Sequence, residues 1–393
     1  MYGPVDTLIT EEIAIIVISS LFSLSECNTV MASFASDRSP LLGETEPSLS
    51  GYLGMEDCDP ETGSFLNAQG LRLATYFYPA LTKKPRGAIL LVHGYGCHWH
   101  WEFTSFPNNT YKNSWIESFN ETGLNVYGFD LQSHGLSEGL KGYRAHVNRF
   151  QDFTNDTKQF YYHCKAKEKG GKVYVLGLSM GGCIVSHVAE QLSEDLDGLI
   201  LAAPMLRLER IKRKPANKVL LPFSACISAC WPSLPVGSKS KNPFHPDIGA
   251  EHDADPLNYD GRVRARMATE FFWAVDKAIE DAHKVSCPHL VIHSEEDTMT
   301  DPEGSQMFYD GTPSGANKKL AWVTHLGFWH GLSKEPQHEK IAELIVEWLA
   351  GLLVRNPKAL GKGKGERGKK KQQTKRAKTP SSRRKRTPPK NLK

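Results

Sequence analysis

The sequence has no hydrophobic run long enough to cross a membrane. Its N-terminal apolar stretch, Ile13–Leu24, has twelve residues, whereas a membrane-spanning helix needs about twenty. The length would suit the core of a signal peptide, but Asp6, Glu11 and Glu12 precede it without any Lys or Arg, which is the wrong charge for a secretion signal. The role of this stretch therefore stays open.

Cysteine pairs with C-x-x-C spacing are also absent. The eight cysteines are scattered, and only Cys226 and Cys230 lie close together in the sequence. This usage argues against a disulfide framework and a zinc site, and it favours a reducing compartment. We therefore expect a cytoplasmic protein that contacts membranes peripherally, with nuclear and secretory locations left open. No metal or organic cofactor is implied.

Acidic residues are nearly missing from the C-terminal tail. Between Lys358 and Lys393, sixteen Lys or Arg accompany one acid, Glu366, so the tail carries +15 and the preceding 357 residues carry −11. Without an apolar period the tail is predicted to be disordered, and without aromatic residues it is not expected to stack on nucleic-acid bases. Of three interpretations, we favour contact with anionic lipid head groups over a nuclear-localisation signal or a solubilising tail.

Composition and pattern predict three segments in this 393-residue chain. Residues 1–60 form a disordered extension, residues 61–354 one folded α/β domain, and residues 355–393 the basic tail. Strand-like apolar runs alternate with helical stretches, which predicts a mostly parallel sheet covered by helices on both faces. A long Pro-rich interval at about residues 204–285 interrupts the alternation, and it predicts a cap over the carboxyl edge of the sheet.

Apolar runs rich in β-branched and aromatic residues locate the strands, and longer periodic stretches locate the helices. The predicted strands are Leu71–Tyr78, Ala88–His93, Asn125–Asp130, Val173–Leu178, Leu199–Ala203, His289–His293 and Lys319–His325. The predicted helices are Lys112–Glu121, Asn148–Lys167, Gly181–Ser193, Pro302–Tyr309 and Glu339–Leu353.

One pentapeptide, GLSMG at residues 177–181, predicts the chemistry. It stands between a β-like apolar run and an apolar helical stretch. A nucleophilic serine such as Ser179 must be exposed on a sharp strand-to-helix turn, where side chains in place of Gly177 and Gly181 would clash with neighbouring elements. The N–H of Met180 would then face the oxyanion that forms during the reaction. The alternative is an ordinary turn with a capping serine.

A nucleophilic serine needs a base and an acid that orients the base, and at such an elbow they follow in the order acid, then histidine. Asp297, just after a predicted strand, is the predicted acid, with Asp301 as the alternative. His330, in a glycine-flanked loop after the last strand, is the predicted base in preference to His325 and His338. The competing interpretation makes Asp297 a turn residue and His330 a structural loop histidine.

A second oxyanion donor is predicted in the loop after the run at residues 88–92. There the sequence is His93-Gly94-Tyr95-Gly96. Gly94 and Gly96 would let the backbone approach the reacting carbonyl, and the N–H of Tyr95 would act with that of Met180. His93 is expected to brace this loop.

Five segments together carry a family resemblance. The chain resembles the monoacylglycerol lipase group of α/β-hydrolases, which is also described as lysophospholipases or serine aminopeptidase-like hydrolases. Within it the chain is most similar to plant-type members, which include caffeoylshikimate esterase. The resemblance spans about Glu61 to Leu353 and neither tail. The segments are HGYG at 93–96, DLQSHGLSEG at 130–139, GLSMGG at 177–182, APML at 203–206 and DPLNY at 255–259.

This resemblance implies a serine esterase that cleaves lipid esters, most directly monoacylglycerol to fatty acid and glycerol, by way of an acyl-enzyme. It makes Ser179, Asp297 and His330 the nucleophile, acid and base. Lysophospholipids and aromatic acyl esters remain alternative substrates, and a peptidase or a non-catalytic binding protein are more distant alternatives. The oligomeric state is not predicted.

The resemblance also implies an apolar acyl tunnel under the cap. Two departures from the family stand out. The segment CHWHW at 97–101 occupies the place where the mammalian enzyme has polar side chains that recognise glycerol, and Ser133 stands where the family usually has glycine. Five aromatic residues of the cap are candidates for lining the acyl tunnel. Each of them could instead pack in the core of the cap. The candidates are Phe223, Trp231, Phe271, Phe272 and Trp273.

Overall fold

The computed structural model describes residues 60–237 and 242–354. The predicted N-terminal extension up to residue 59, with its apolar stretch, and the basic tail lie outside these residues. Contacts divide the chain into two units, Met1–Ala350 and Gly351–Lys393, and the sheet belongs to the first. No helix among the described residues is long and apolar enough to span a membrane.

Eight strands form one sheet in the order β1-β2-β4-β3-β5-β6-β7-β8. The β1–β2 and β2–β4 pairs are antiparallel, and the other pairs are parallel. The expectation of a mostly parallel α/β sheet is therefore confirmed. The strands are β1 Glu61–Leu66, β2 Arg72–Tyr78, β3 Gly87–Val92, β4 Leu124–Phe129, β5 Val173–Leu178, β6 Leu199–Ala202, β7 His289–His293 and β8 Lys318–Trp322.

Helices connect the strands and cover the sheet. Strands β3, β5, β6 and β7 are buried at every residue, because parallel strands covered on both faces need apolar side chains in both directions. The α-helices of the described residues are α1 Trp99–Phe103, α2 Trp115–Glu121, α3 Phe150–Lys167, α4 Met180–Leu192, α5 Glu209–Lys212, α6 Pro215–Leu220, α7 Ser224–Cys230, α8 Pro246–Ala254, α9 Ala265–Glu280, α10 Pro302–Gly311 and α11 His338–Val354.

The structure differs from the sequence-based prediction at β1, at α1 and at the end of the last strand. Strand β1 was not predicted, because its residues are largely exposed and form no apolar run. Helix α1 was also missed, since five residues are too few to show a helical period. The last strand ends at Trp322 rather than at His325, because Val323 leaves the extended conformation and His325 lies in a 3-10 helix, Thr324–Leu326.

Helices α5 to α9 occupy the chain between β6 and β7. This is the interval in which the sequence predicts a cap at about residues 204–285. Its base meets the carboxyl edge of the sheet, where the N–H of Tyr259 donates to the carbonyl oxygen of Gly96 at 2.7 Å. The cap boundaries themselves stay a prediction.

Candidate active site

Ser179 lies between the end of β5 and the start of α4 in a strained conformation, with φ +55° and ψ −118°. Non-glycine residues seldom adopt positive φ, and the surrounding structure must hold them there. The two glycines of the motif make this turn possible. A Cβ atom at Gly177 would lie 2.2 Å from the carbonyl oxygen of Gly181, and one at Gly181 would lie 2.1 Å from that of Val92.

Two histidine hydrogen bonds connect Ser179 to Asp297. The Ser179 Oγ and His330 Nε2 atoms are 3.0 Å apart, and His330 Nδ1 lies 2.6 Å from Asp297 Oδ2. An ionised carboxylate can only accept, so Nδ1 carries the proton and Nε2 is free to accept the hydroxyl proton of Ser179. The three predicted residues, which are distant in sequence, are thus brought into one hydrogen-bonded row.

Further donors saturate the buried Asp297 carboxylate. Its Oδ1 accepts the N–H groups of Met299 at 2.7 Å and Thr300 at 3.0 Å. Its Oδ2 accepts the Thr300 hydroxyl and the His293 Nε2 proton, each at 2.9 Å. Burial by itself would raise the pKa of Asp297, but His330 and His293 outweigh it and hold this pKa well below its usual value. The side chain is therefore a carboxylate at neutral pH.

A second carboxylate, Glu335, holds the loop that carries the imidazole. It is 1% exposed. Its oxygens accept the consecutive N–H groups of Trp329, His330 and Gly331 at 2.6, 3.0 and 2.8 Å. Burial lowers the pKa of His330, but Asp297, Glu102 and Glu335 together raise it above its ordinary value. No local pattern in the sequence indicates this role of Glu335.

The three alternative residues lie elsewhere. The Asp301 carboxylate accepts the N–H of Arg210 at 3.0 Å and pairs with the Arg210 guanidinium, and the residue stands directly before α10. His325 is exposed, and His338 begins α11, where its carbonyl oxygen accepts the Trp115 indole N–H. Neither histidine contacts Ser179 through any hydrogen bond of the described residues.

The loop that follows β3 lies directly against the serine. A Cβ atom at Gly94 would be 3.3 Å from Ser179 Cβ. His93 Nδ1 donates to the Gly94 carbonyl oxygen at 2.8 Å, and its Nε2 accepts the Leu131 N–H at 2.9 Å. Burial, with His134 nearby, keeps the pKa of His93 well below its ordinary value. A neutral His93 therefore ties this loop to the segment after β4.

The two residues predicted to supply the oxyanion-hole N–H groups are Met180, directly after the serine, and Tyr95, in the loop whose Gly94 lies against the serine. Met180 is the first residue of α4, and the first N–H groups of a helix have no acceptor within the helix. Tyr95 follows Gly94, and its ring meets the Phe271 ring of α9 edge-on, with centroids 5.1 Å apart. Phe271 thereby brings the cap against the oxyanion loop.

Residues of the DPLNY segment fasten the cap to the same loop. The N–H of His98 donates to the Asn258 side-chain oxygen at 3.1 Å, and its Nε2 lies 2.9 Å from Asp255 Oδ2. Together with the bond from Tyr259 to Gly96, these contacts tie the loop to the cap. The sequence marked this segment only by family resemblance, and the structure supplies its physical role.

Glu102 on α1 was not singled out from the sequence. Its Oε2 accepts the N–H of Gly94 at 3.1 Å and the thiol proton of Cys97 at 2.9 Å. Its Oε1 accepts the Ser333 hydroxyl at 3.4 Å. This buried carboxylate therefore joins the oxyanion loop to the loop that carries the histidine.

The candidate tunnel residues have different surroundings. Phe223 is 40% exposed, and Trp231 is half-buried just after α7. The Lys212 ammonium lies 5.4 Å above the half-buried Phe272 ring. Trp273 is 45% exposed and stacks on His187 at 5.7 Å. The position of Trp273 favours packing on α4 over contact with an acyl chain.

Ser133, the departure from the usual family glycine, has φ +61°. Glycine adopts this conformation most readily, which explains why it is usual there. The Ser133 hydroxyl donates to the His146 carbonyl oxygen at 2.8 Å and accepts the His146 N–H at 2.6 Å, which steadies the turn. Within residues 60–237 and 242–354, no three His, Cys, Asp or Glu side chains are grouped as metal ligands.

Comparisons with known proteins give the family and the fold of this chain. The profile of the family described as serine aminopeptidase, S33, matches residues 83–337. The monoacylglycerol lipase of Mycolicibacterium smegmatis is 23% identical over 292 residues, which is 74% of this chain and 97% of the relative. The caffeoylshikimate esterase of Arabidopsis thaliana is 25% identical over 299 residues, which is 73% of this chain and 84% of the relative. With such similar identities, closeness to plant-type members has only weak support.

A solved structure shares the fold. The crystal structure of a soluble variant of monoglyceride lipase from Saccharomyces cerevisiae, in complex with a substrate analogue, superimposes with a TM-score of 0.62. It is 19% identical, and the superposition covers 76% of this chain and 97% of that chain. At this identity the likeness concerns the α/β-hydrolase fold.

Proposed function

The chain belongs to the serine aminopeptidase S33 family of α/β-hydrolases, and on this basis we propose that it hydrolyses monoacylglycerol to a fatty acid and glycerol. It is a serine carboxylic ester hydrolase that acts on lipid esters, like its curated relatives named lipases. The proposed mechanism rests on one observation: Ser179, His330 and Asp297 are joined by contacts of 3.0 and 2.6 Å. The choice of monoacylglycerol rests on the similarity to relatives named monoacylglycerol lipase.

Acylation begins at the serine hydroxyl. His330 Nε2 accepts the hydroxyl proton as Ser179 Oγ attacks the ester carbonyl carbon. The carboxylate of Asp297 stabilises the imidazolium that forms and keeps the Nδ1 proton in place. His330 then gives the proton to the departing alcohol oxygen, which leaves the acyl group on Ser179.

Negative charge develops on the carbonyl oxygen in this step. We assign the N–H groups of Tyr95 and Met180 to bind it, since donors already oriented in a dry site stabilise the transition state strongly. His330 then accepts a proton from a water molecule whose oxygen attacks the acyl carbon. The bond from this carbon to Ser179 Oγ breaks, His330 returns the proton to Oγ, and the fatty acid leaves. No step requires a metal ion or an organic cofactor.

The cap supports a lipid rather than a peptide substrate. Helix α9 carries the aromatic side chains Phe271, Phe272 and Trp273, and the Phe271 ring lies against Tyr95 of the oxyanion loop. A peptidase would need a carboxylate near the serine for the free amino group. Glu102 and Glu335 are instead occupied by backbone N–H donors.

Aromatic acyl esters form the second candidate class. It rests on the similarity to caffeoylshikimate esterase. The segment after the oxyanion glycines also leaves room for it, because CHWHW at 97–101 stands where the mammalian enzyme has polar side chains that recognise glycerol. Lysophospholipids are a third class with the same chemistry, and contact of the basic tail with an anionic membrane would suit either lipid class.

The test compares a 2-monoacylglycerol, a lysophospholipid and a caffeoyl ester as substrates of the purified full chain and of Ser179→Ala. Ser186→Ala is the matched control, because this buried serine lies on α4, which begins directly after Ser179, and its hydroxyl donates to the Cys183 carbonyl oxygen at 2.7 Å. We expect monoacylglycerol to be turned over fastest, and this activity to be lost in Ser179→Ala and kept in Ser186→Ala.

Other outcomes separate the parts of the proposal. Faster turnover of another ester, still lost in Ser179→Ala, would keep the mechanism and replace the substrate. Activity that survives Ser179→Ala would refute the mechanism. A folded wild-type chain that is silent toward all three esters would favour a binding protein.

A further inference from the structure

Two cysteines on the cap differ from all others in the described residues. Cys97, Cys164, Cys183 and Cys287 are buried, whereas Cys226 and Cys230 are exposed. Burial raises the pKa of the first four thiols and shields them from reagents. Only the cap pair presents thiols to a reacting partner in this part of the chain.

Both exposed thiols lie on one face of helix α7, because residues four apart are neighbours on a helix surface. Ser228, between them, faces inward: it is 1% exposed, and the Arg266 guanidinium donates to its carbonyl oxygen at 3.1 Å. This contact holds α7 against α9 and fixes which face points outward.

The outward face of α7 is apolar. Ala225 and Ala229 are exposed beside the cysteines, and Phe223 and Trp231 flank the helix with partly exposed rings. Each of these side chains is more stable in a lipid interface than in water. The two thiols therefore lie within an apolar surface rather than among charges.

Cations lie on the chain just before this surface. Arg213 has a side chain that is 72% exposed, and Lys214 and Lys218 are also exposed. A short apolar surface with adjacent Lys and Arg is typical of segments that rest at the boundary between acyl chains and anionic head groups. Cysteines beside a membrane surface are typical sites of reversible S-acylation.

We propose that Cys226 and Cys230 form a site for S-acylation by a long-chain acyl-coenzyme A. The Sγ atom attacks the thioester carbonyl carbon, a new carbon–sulfur bond forms, and the bond to coenzyme A breaks. The proton lost by the cysteine thiol goes to the leaving coenzyme A thiolate, and nothing is oxidised or reduced. This site is separate from the ester hydrolysis assigned to Ser179.

The pairing of the two thiols has a physical consequence. A single acyl chain binds a membrane weakly and reversibly, and stable anchoring needs a second chain or a basic segment. A second cysteine one turn away supplies the second chain on the same face. Acylation would thus hold the cap edge at the membrane surface, with the thioesters as the reversible link.

The test labels the full chain in eukaryotic cells with an alkynyl palmitate analogue. All variants carry Ser179→Ala, so that an acyl-enzyme ester cannot be mistaken for a thioester. The label released by neutral hydroxylamine is measured for three proteins. The parent carries only Ser179→Ala, and the cap variant adds Cys226→Ser and Cys230→Ser. The control instead adds Cys27→Ser and Cys58→Ser, which removes the two cysteines outside the described residues. A thermal unfolding midpoint checks that each variant is folded.

We expect hydroxylamine-sensitive label on the parent and on the control, and at least a tenfold loss in the cap variant with an unchanged midpoint. The labelled parent should also sediment with phosphatidylcholine vesicles in about 1 M salt, where the Debye length is about 3 Å and the basic tail is screened. Label that persists in the cap variant, label confined to Cys27 or Cys58, or no thioester at all would overturn the proposal. None of these results depends on esterase activity.

Discussion

Glu335 accepts the backbone N–H of His330 at 3.0 Å, and so fixes the peptide unit that carries the imidazole. The same carboxylate accepts the N–H groups on both sides of that residue. Because one buried side chain holds three consecutive N–H groups, the loop has a single orientation. The direction of the imidazole thus depends on a group that takes no part in proton transfer.

The first prediction concerns the pH profile. Since carboxylates raise the pKa of His330, and the base must be neutral to act, kcat/KM should fall on the acid side with an apparent pKa above about 6.5. Glu335→Gln removes one of these charges and loosens the loop, so this pKa should decrease and kcat should fall about 10- to 100-fold.

Initial rates of ester hydrolysis between about pH 5 and 9 check this prediction. The matched control is Glu339→Gln, which removes an exposed carboxylate from the first turn of α11. An acid limb at or below the ordinary histidine value in the wild type, or an unmoved limb with full kcat in Glu335→Gln, would contradict it.

The second prediction concerns Asp297→Asn. The amide can neither stabilise the imidazolium nor enforce the Nδ1 proton, so kcat should fall about 10⁴-fold. The exposed Asp310→Asn is the control. Single-turnover rates on a soluble ester measure the loss, and a decrease below tenfold would remove Asp297 from the mechanism.

Asp297 also links folding to pH. Its pKa is lower in the folded chain than in the unfolded chain, so its contribution to stability is complete above about pH 4 and is lost as the pH falls further. Urea unfolding at several acidic pH values should therefore show a smaller pH dependence for Asp297→Asn than for the wild type. Equal slopes for the two proteins would argue against this linkage.

The third prediction concerns the elbow glycines. A Cβ atom in Gly181→Ala would lie 2.1 Å from the Val92 carbonyl oxygen, so the turn must shift. We therefore expect the free energy of unfolding to fall by about 3 kcal/mol or more and the activity to be lost. Gly249→Ala is the control, since nothing lies within 4 Å of the added atom. In helix α8 it should be neutral or stabilising by up to about 1 kcal/mol. Denaturant titrations decide between these outcomes, and equal stability of the two variants would refute the steric argument.

The fourth prediction concerns the basic tail. Each cation near an anionic surface contributes about 1 kcal/mol, so deleting residues 358–393 should weaken binding to phosphatidylserine-containing vesicles by at least about tenfold. Hydrolysis of a soluble ester should be unchanged. Vesicle sedimentation at low and high salt measures the effect. Unchanged binding after the deletion would leave the tail without a role at the membrane.

Much of the fold could be predicted from the sequence, because buried parallel strands are apolar along their whole length. Strand β5 ends at Leu178 and α4 begins at Met180, where the GLSMG pattern predicts a strand, a turn and a helix. Strand β1 escaped prediction because it is an exposed edge strand without apolar alternation. Helix α1 escaped because its stability comes from packing, with Trp99 buried against the sheet.

The candidate site also has residues that the sequence could predict and residues that it could not. The order serine, acid, histidine along the chain allowed us to propose Ser179, Asp297 and His330 from the sequence. Their catalytic roles stay predictions. Glu102, His293 and Glu335 could not be proposed. Each acts through hydrogen bonds to backbone N–H groups or to another side chain, and those partners become neighbours only when the loops fold together.

Five donors surround the Asp297 carboxylate, two on Oδ1 and three on Oδ2. This carboxylate cannot rotate without breaking several hydrogen bonds at once, so it stays fixed during the reaction. Transfer of the proton from the serine oxygen to the departing alcohol must then involve a small rotation of the imidazole ring. In the proposed catalytic cycle only the His330 ring changes its orientation. It turns about its contact with Asp297 Oδ2, which at 2.6 Å is shorter than its contact with Ser179.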